Sequence, residues 1–435
     1  MALGPYFSPS PDGDHAFTVE APKIKFGVGS LDEIGVDAKA LGMSRVALFT
    51  DPVVAKLEPM EIAKRALIGA GLDVVIYDEV EVEPTDRSFK AATLFAEEAG
   101  VDGYVSVGGG STIDTAKAAN LYATYPADLL DYVNAPIGAA KPVPGPLKPH
   151  IACPTTFGTA SECTGIAIFD LLEMEAKTGI ANARLRPDLG VLDPRSLMSL
   201  PAPIVAANGF DVFTHAIESL TARPYSHRPR PDHAAPRPLS QGANPYSDMA
   251  CSEAIRLVGA NLIRAVEEPD ELSAREPLMF AGMLAGIGFG NAGCHMPHAM
   301  SYAVAGLVRD YVPAGWETDE PMVPHGISVI VNAPAVFRFT GPHCADRHLK
   351  AAELMGADVR NVPGERAGDV LATQVIDMMR RTGMPNGLSG VGYVKSDLDN
   401  LTDKAFPQKR LLDNAPCAVS RDDLKGIFAD ALSYW

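Results

Sequence analysis

The sequence predicts a two-part fold: an α/β half on a largely parallel sheet, then an all-α half. Three observations predict it. Strand-like and helix-like patterns alternate through the first 200 residues. From Pro203 onward Ala, Leu, Ile and Met recur at helical spacing. At 435 residues the chain is longer than one core usually accommodates. Domains are therefore expected at 1–200 and 201–435.

The elements of the first half follow in order. RVALFT (45–50) is a short apolar run ending at Asp51. VVAKLEPMEIAKRALIGAG (53–71) reads as a helix closed by glycine. DVVIYD (73–78) is a second strand, and 85–99 places Phe89, Ala92, Phe95 and Ala96 at helical spacing. VDGYVSVGGGS runs from a third strand into a glycine turn and a helix. IACPTT (151–156), TGIAIFD (164–170) and LGVLDP (189–194) are further strands. Strand, helix, strand at this spacing favours parallel pairing with covering helices.

One stretch breaks the helical character of the second half. Residues 222–248, ARPYSHRPRPDHAAPRPLSQGANPYSD, are too rich in Pro for a helix and carry Arg223, Arg228, Arg230 and Arg237. A long ordered loop is expected there, of a kind more often functional than idle.

Composition narrows the function. Apolar residues make up 47% and charged residues 21%, ordinary for a globular protein. No apolar run reaches membrane-span length. The net charge of -17 disfavours nucleic acid and anionic lipid as partners, while a small anionic substrate needs only a local basic pocket. The six cysteines include no CxxC pair, which suits reduced thiols. The first 22 residues contain no Lys or Arg, so neither a secretory signal nor a basic transit peptide is read there. A cytoplasmic protein is the resulting expectation.

GGGSTIDTAKA (108–118) follows a strand and opens a helix. Gly108, Gly109 and Gly110 allow close backbone approach, and the N–H groups that follow face an anion such as a pyrophosphate. The spacing is neither GxGxxG nor GxxxxGK[ST], so a plain strand-to-helix turn is an equal reading. ACPTTFGTASECTG (152–165) ends a strand with Thr155, Thr156, Thr159 and Ser161. Such hydroxyls line nucleotides at the carboxyl edge of a parallel sheet, or satisfy local backbone. Asp51, at a strand end, suits an adenosine ribose and would repel a 2′-phosphate; it suits a helix N-cap equally well.

The second half carries the most informative constellation. Asp211 and His215 lie four residues apart in the helix-like GFDVFTHAIES, so both side chains leave one face. His298 in HMPHAMSYAVAGL and His325 in MVPHGISV would complete a set of one oxygen and three nitrogens. That set suits Fe(II) or Zn(II) rather than Mg(II) or Ca(II). A lone His or Asp on a helix is usually structural, so the coincidence of four carries the weight. His295, three residues before His298, is the obvious decoy. A nucleotide site plus a Lewis-acid site in one chain points to hydride chemistry on an alcohol or carbonyl.

Taken in order, FGVGSLDEIG, GGGSTIDTAKA, PTTFGTASE, RPDLGVLDP, DVFTHAIES and the HAMS…VPHG pair resemble the iron-containing (group III) alcohol dehydrogenase family over nearly the whole chain. The resemblance implies a Rossmann-like, dinucleotide-binding α/β domain, an all-α C-terminal domain and a divalent metal, Fe(II) preferred and Zn(II) possible. It implies Asp211, His215, His298 and His325 as metal ligands. NAD(H) would bind through Asp51, Gly108, Gly109, Gly110, Ser111, Asp114, Thr155, Thr156 and Ser161, with Lys177 near the nicotinamide ribose. Many members carry a His four residues after the third ligand, proposed for proton relay; Tyr302 stands there in this chain. With an ordinary pKa near ~10, a Tyr hydroxyl hydrogen-bonds but is a weaker base at neutral pH.

TARPYSHRP…QGANPYSD and GNAGCHMPHAMSYAVAGLV resemble the hydroxyacid–oxoacid transhydrogenase branch of that family. That branch passes a hydride from 4-hydroxybutyrate to 2-oxoglutarate, giving succinate semialdehyde and 2-hydroxyglutarate. Arg223 and Arg228 are the candidates to hold a substrate carboxylate. The alternatives are an NAD-dependent alcohol or 4-hydroxybutyrate dehydrogenase that releases NADH each turn, a dehydroquinate synthase-like lyase, and a non-catalytic nucleotide-binding protein. The expected partners are small hydroxyacids and oxoacids and a second copy of the chain in a homodimer, with no nucleic acid and no membrane.

Overall fold

Among the described residues eight strands form in chain order: β1 (Ile24–Phe26), β2 (Arg45–Phe49), β3 (Asp73–Tyr77), β4 (Gly103–Gly108), β5 (His150–Pro154), β6 (Ile166–Leu171), β7 (Ala176–Ala181) and β8 (Leu189–Leu192). They are seen in a computed structural model that describes Tyr6 and residues 10–174, 176–231 and 237–435. Six of them make one sheet in the order β1-β8-β5-β4-β2-β3, with every neighbouring pair parallel. β4, β5 and β8 are buried along their whole length, which is why they read as unbroken apolar runs.

The 164–170 segment departs from expectation. β6 pairs antiparallel with β7 in a separate two-stranded sheet. Its residues alternate between buried and half-buried, as suits a hairpin with one wet face. β7 follows after a short turn, so antiparallel closure needs no crossover.

Helix boundaries follow local chemistry. The expected 53–71 helix divides into a 3-10 turn, Val54–Lys56, and a helix, Glu58–Gly69, that takes Pro59 into its first turn. Asp86–Ala99 is capped by Thr85, whose hydroxyl accepts the Ser88 N–H at 3.1 Å, and ends at Gly100 with φ 58°. Gly110–Thr124 leaves β4 through Gly109 and is buried from Thr112 to Tyr122.

The chain divides into two compact units: Ala21–Ser199, and Met1–Glu20 together with Leu200–Trp435. The segment before Ala21, which the sequence alone assigns to 1–200, thus belongs to the helical unit. Tyr6 donates its hydroxyl to Asp248 Oδ2 at 2.5 Å. Arg237 grips Asp14 with two bonds of 2.7 Å. The Glu20 N–H donates to Asn291 Oδ1 at 2.9 Å.

Within this unit, helices Ala202–Thr221, Pro245–Glu267 and Leu272–Ala292 pack against one another, and Met296–Gly306 and His325–Ile330 follow. The Pro-rich loop is shorter than expected. It holds a 3-10 turn, Tyr225–His227, and its last residues are already helical from Pro245. Asn244 Oδ1 accepts the Tyr246 and Ser247 N–H groups at 3.1 and 3.0 Å, and Pro245 occupies the first helical position, where no N–H is needed. Residues 232–236 of this loop, His233 among them, lie outside the described residues.

Candidate metal centre and nucleotide cradle

In the α/β unit the glycine turn is a matter of space. Gly109 has an extended backbone, φ −76° and ψ −172°, that any residue adopts. A Cβ on Gly108 would lie 2.3 Å from Thr112 Oγ1, and one on Gly110 2.6 Å from Thr159 Oγ1. A Cβ on Gly109 would lie 3.3 Å from the Thr156 methyl. The first turn of Gly110–Thr124 thus lies against Thr156 and Thr159, both half-buried, with the unbonded N–H groups of a helix start beside them.

The other expected cradle residues are placed differently. Ser111 Oγ accepts the Glu83 N–H at 3.2 Å, and Thr155 is buried with its N–H on the Gly108 carbonyl at 2.9 Å. Ser161 and Asp114 face inward rather than into an open cradle. The Ser161 hydroxyl bonds Asp114 and accepts from Lys117 Nζ at 2.7 Å. Lys117 Nζ also donates to Asp114 at 3.2 Å and to the Ile166 carbonyl at 2.6 Å, while Asp114 Oδ2 accepts the Ile168 N–H at 2.9 Å. This network ties Gly110–Thr124 to β6. Burial holds the Lys117 pKa below the usual lysine range, against the pull of Asp114. Sequence reasoning passed over Lys117; the signal was a cation three residues after Asp114 amid the small residues of a glycine-led helix.

Lys177 is also engaged, donating to Glu83 Oε2 at 2.5 Å and Asp170 Oδ2 at 3.2 Å. Burial lowers its pKa, but the two carboxylates outweigh that and raise it. Asp51 Oδ1 accepts the Val53 and Val54 N–H groups at 3.0 and 2.9 Å, so this oxygen serves as a cap. Its other oxygen lies 3.5 Å from Thr112 Oγ1.

In the helical unit, Asp211 and His215 project from Ala202–Thr221, His298 from the first turn of Met296–Gly306, and His325 opens His325–Ile330. Asp211 Oδ1 lies 3.6 Å from His215 Nδ1, 3.5 Å from His298 Nε2 and 3.6 Å from His325 Nε2. One donor atom from each of the four falls within 4.8 Å of all the others. Asp211 Oδ1, His215 Nδ1 and His298 Nε2 are buried with no hydrogen-bond partner among the described residues. Each such atom costs about 1–3 kcal/mol, so three aimed at one another fit a cation completing them. One carboxylate and three imidazoles are the donors of a divalent transition-metal site. The His325 side chain is 29% exposed against 3–7% for the others, so the site opens on its side.

The electrostatics of Asp211 and His215 suit a bound cation. Burial raises the Asp211 carboxyl pKa, but His215, then His325 and His298, hold it well below the usual carboxylate range. Burial pushes His215 down to about 3, leaving a neutral ring with a lone pair to offer. That ring stacks on Phe289 at 4.2 Å and 14°. His298 is raised despite its burial, by Glu218 and then Cys294. His295 stands outside the cluster: its Nε2 meets Thr221 Oγ1 at 2.9 Å and its Nδ1 accepts the Met296 N–H at 2.7 Å. Tyr302 is half-buried, one helical turn after His298.

Glu218 was missed. It is 0% exposed, with Oε1 2.6 Å from His298 Nδ1 and Oε2 accepting the His295 N–H at 2.6 Å. Its position three residues after His215, on one face of the helix, was the available signal. Of the loop arginines, Arg237 is committed to Asp14. Arg223 Nε is buried with no hydrogen-bond partner among the described residues, and Arg228 is held below the usual arginine range, first by burial and then by Arg223.

Residues 21–194 match the family described as iron-containing alcohol dehydrogenase, and residues 232–432 match its C-terminal region. The chain belongs to this family. It is an enzyme, an oxidoreductase, and its family implies a divalent metal. It is 46% identical over 431 residues, 98% of this chain and 92% of the relative, to human "Hydroxyacid-oxoacid transhydrogenase, mitochondrial". A Dictyostelium discoideum relative named "Probable hydroxyacid-oxoacid transhydrogenase, mitochondrial" is 43% identical, covering 97% of this chain and 80% of its own. Among solved structures, 1,3-propanediol oxidoreductase superposes with a TM-score of 0.84 at 28% identity, covering 96% of this chain and 100% of its own. Alcohol dehydrogenase from Oenococcus oeni superposes with a TM-score of 0.82 at 27% identity, covering 96% and 100%.

The names of these relatives overturn one expectation. The cytoplasmic assignment fails against proteins named as mitochondrial. It rested on scattered thiols and on the absence of Lys and Arg from the first 22 residues; reduced cysteines report a reducing environment without distinguishing one such compartment from another, and the composition of those residues did not decide the address.

Proposed function

We propose that this enzyme is a hydroxyacid–oxoacid transhydrogenase that exchanges a hydride between two carboxylate-bearing substrates at an iron centre held by Asp211, His215, His298 and His325. The observation that carries the metal reading is the convergence of unpaired buried donor atoms on Asp211 Oδ1. The relatives at 46% identity support the substrate class. A divalent ion at these four side chains supplies Lewis acidity to a substrate oxygen, and NAD(H) supplies the hydride carrier. The remaining work falls to the chain. The helix start at Gly109, Gly110 and Ser111 offers N–H groups to a pyrophosphate. Tyr302 offers a hydroxyl for proton exchange one turn from His298. Arg223 and Arg228 hold the carboxylate.

The test is a product assay with 4-hydroxybutyrate and 2-oxoglutarate and no added NAD. Equal amounts of succinate semialdehyde and 2-hydroxyglutarate support the proposal. Product formed only against stoichiometric NAD makes the enzyme a dehydrogenase that releases its cofactor.

Two further outcomes are expected. Arg223, with a buried N–H that has no partner among the described residues, is ready for a carboxylate, and Arg228, which feels its charge, adds a second guanidinium. Arg223→Ala or Arg228→Ala should therefore raise KM for the hydroxyacid by the equivalent of ~1.5–3 kcal/mol, as for a charge-assisted hydrogen bond. An uncharged alcohol of similar length should be little affected. Unchanged hydroxyacid kinetics in both variants would remove the loop from the substrate site. Asp51→Gly should narrow the preference for NAD over NADP and, through the lost cap, lower stability by a few tenths of a kcal/mol. Unchanged cofactor selectivity would leave Asp51 as a cap alone.

A further inference from the structure

Glu218 is a carboxylate with no exposure to solvent. Burying such a group is costly unless its oxygens are hydrogen-bonded. Its two oxygens serve different partners. Oε1 lies 2.6 Å from His298 Nδ1. Oε2 accepts the backbone N–H of His295 at 2.6 Å, and His295 is the N-cap of the helix Met296–Gly306 that carries His298. A carboxylate only accepts, so its bond to Nδ1 requires the ring proton there. Nε2, the nitrogen 3.5 Å from Asp211 Oδ1, is then the one left to face a metal, giving up any proton it carries when a cation binds. We infer that Glu218 is a positioning residue: it sets the tautomer and rotation of His298 and pins the start of its helix, so that Nε2 is presented to the metal. This rests on the metal reading proposed above. Glu218 also strengthens the site chemically, because an anionic acceptor on one ring nitrogen makes the other a better donor to a cation. With Asp211 it brings two carboxylates to three imidazoles, matching the charge of a divalent ion.

Glu218→Gln tests the inference because glutamine keeps the size but has one accepting and one donating end. Its single oxygen can accept from the His298 Nδ1–H or from the His295 N–H; if it takes the latter, its amide N–H faces Nδ1 and favours the tautomer with the proton on Nε2. Metal is stripped, and Zn(II) affinity is measured by chelator competition beside the thermal midpoint of the metal-free protein. The expected result is binding weakened by roughly 10–100-fold with a metal-free midpoint close to that of the parent. Parent-like affinity overturns the inference, as does a fall in metal-free midpoint with affinity intact, which marks a merely structural residue. Should the Gln variant not fold, Glu218→Asp carries the test. It keeps the charge and withdraws the reach, so weaker binding supports the inference and unchanged binding overturns it. His215→Ala separates the two claims. If it keeps parent affinity, the metal centre itself is wrong; if it loses metal while Glu218→Gln does not, only the role of Glu218 falls.

Discussion

His215→Ala is expected to yield a folded protein that holds neither metal nor activity. In the proposed centre His215 supplies one of four donors, and its Nδ1 has no hydrogen-bond partner among the described residues. Its ring packs flat on Phe289, so truncation leaves a small gap beside an aromatic face rather than a broken network. The metal-free protein should therefore melt near the metal-free parent. The stabilisation that bound metal confers on the parent should vanish, since a ligand that binds only the folded state raises its stability by mass action. Turnover should fall by roughly 100-fold or more, because Lewis-acid stabilisation of a substrate oxygen is worth several kcal/mol at ~1.4 kcal/mol per tenfold. Metal analysis alongside kinetics checks this. A variant that retains both a stoichiometric ion and parent activity would remove His215 from the centre.

Lys117→Met should destabilise the α/β unit more than any other single change discussed. The ammonium donates to Asp114, Ser161 and the Ile166 carbonyl, and so uses all three of its donors. Methionine fills a similar volume but leaves Asp114 as a buried charge without a counterion. Removing one partner of a buried pair costs about 3–5 kcal/mol. Chemical denaturation should show this as a lower midpoint. Adding Asp114→Asn should restore part of the loss, since the uncompensated charge is then gone. A single-variant loss below ~1 kcal/mol would mean that the network does not hold β6 to the helix.

What could be read in advance followed from periodicity and from residues that carry their own signal. The four-residue spacing of Asp211 and His215 specified their shared face. His298 and His325 lie far along the chain; the chemistry of the donor set suggested that they complete it, and the family resemblance implied the same four ligands. The strands of the parallel sheet were visible as apolar runs, but periodicity does not name a strand's partner. TGIAIFD therefore read as part of the main sheet although β6 closes on β7. Three-residue β1 is too short to give a pattern. Hydroxyls were the least legible. Ser161 and Thr156 stand five residues apart in one loop, yet Ser161 turns into the Lys117 network and Thr156 stays beside the helix start. That choice is made by packing partners remote in sequence. Pro245 misled because a proline that ends a helix and one that begins it look alike until the Asn244 cap is seen.

The division of the chain bears on the order in which it can be made. Ala21–Ser199 is continuous, whereas the helical unit is split around it. Asp14 and Glu20 are translated long before Arg237 and Asn291, the residues that hold them. Domains generally fold as units during synthesis, N-terminal first. The α/β unit can close on the ribosome while the segment before it stays without a partner until most of the chain has emerged. Dividing the gene at codon 200 would therefore strip the helical half of its early segment. A circular permutation that fuses that segment after Trp435 would instead let each half be translated as one uninterrupted piece.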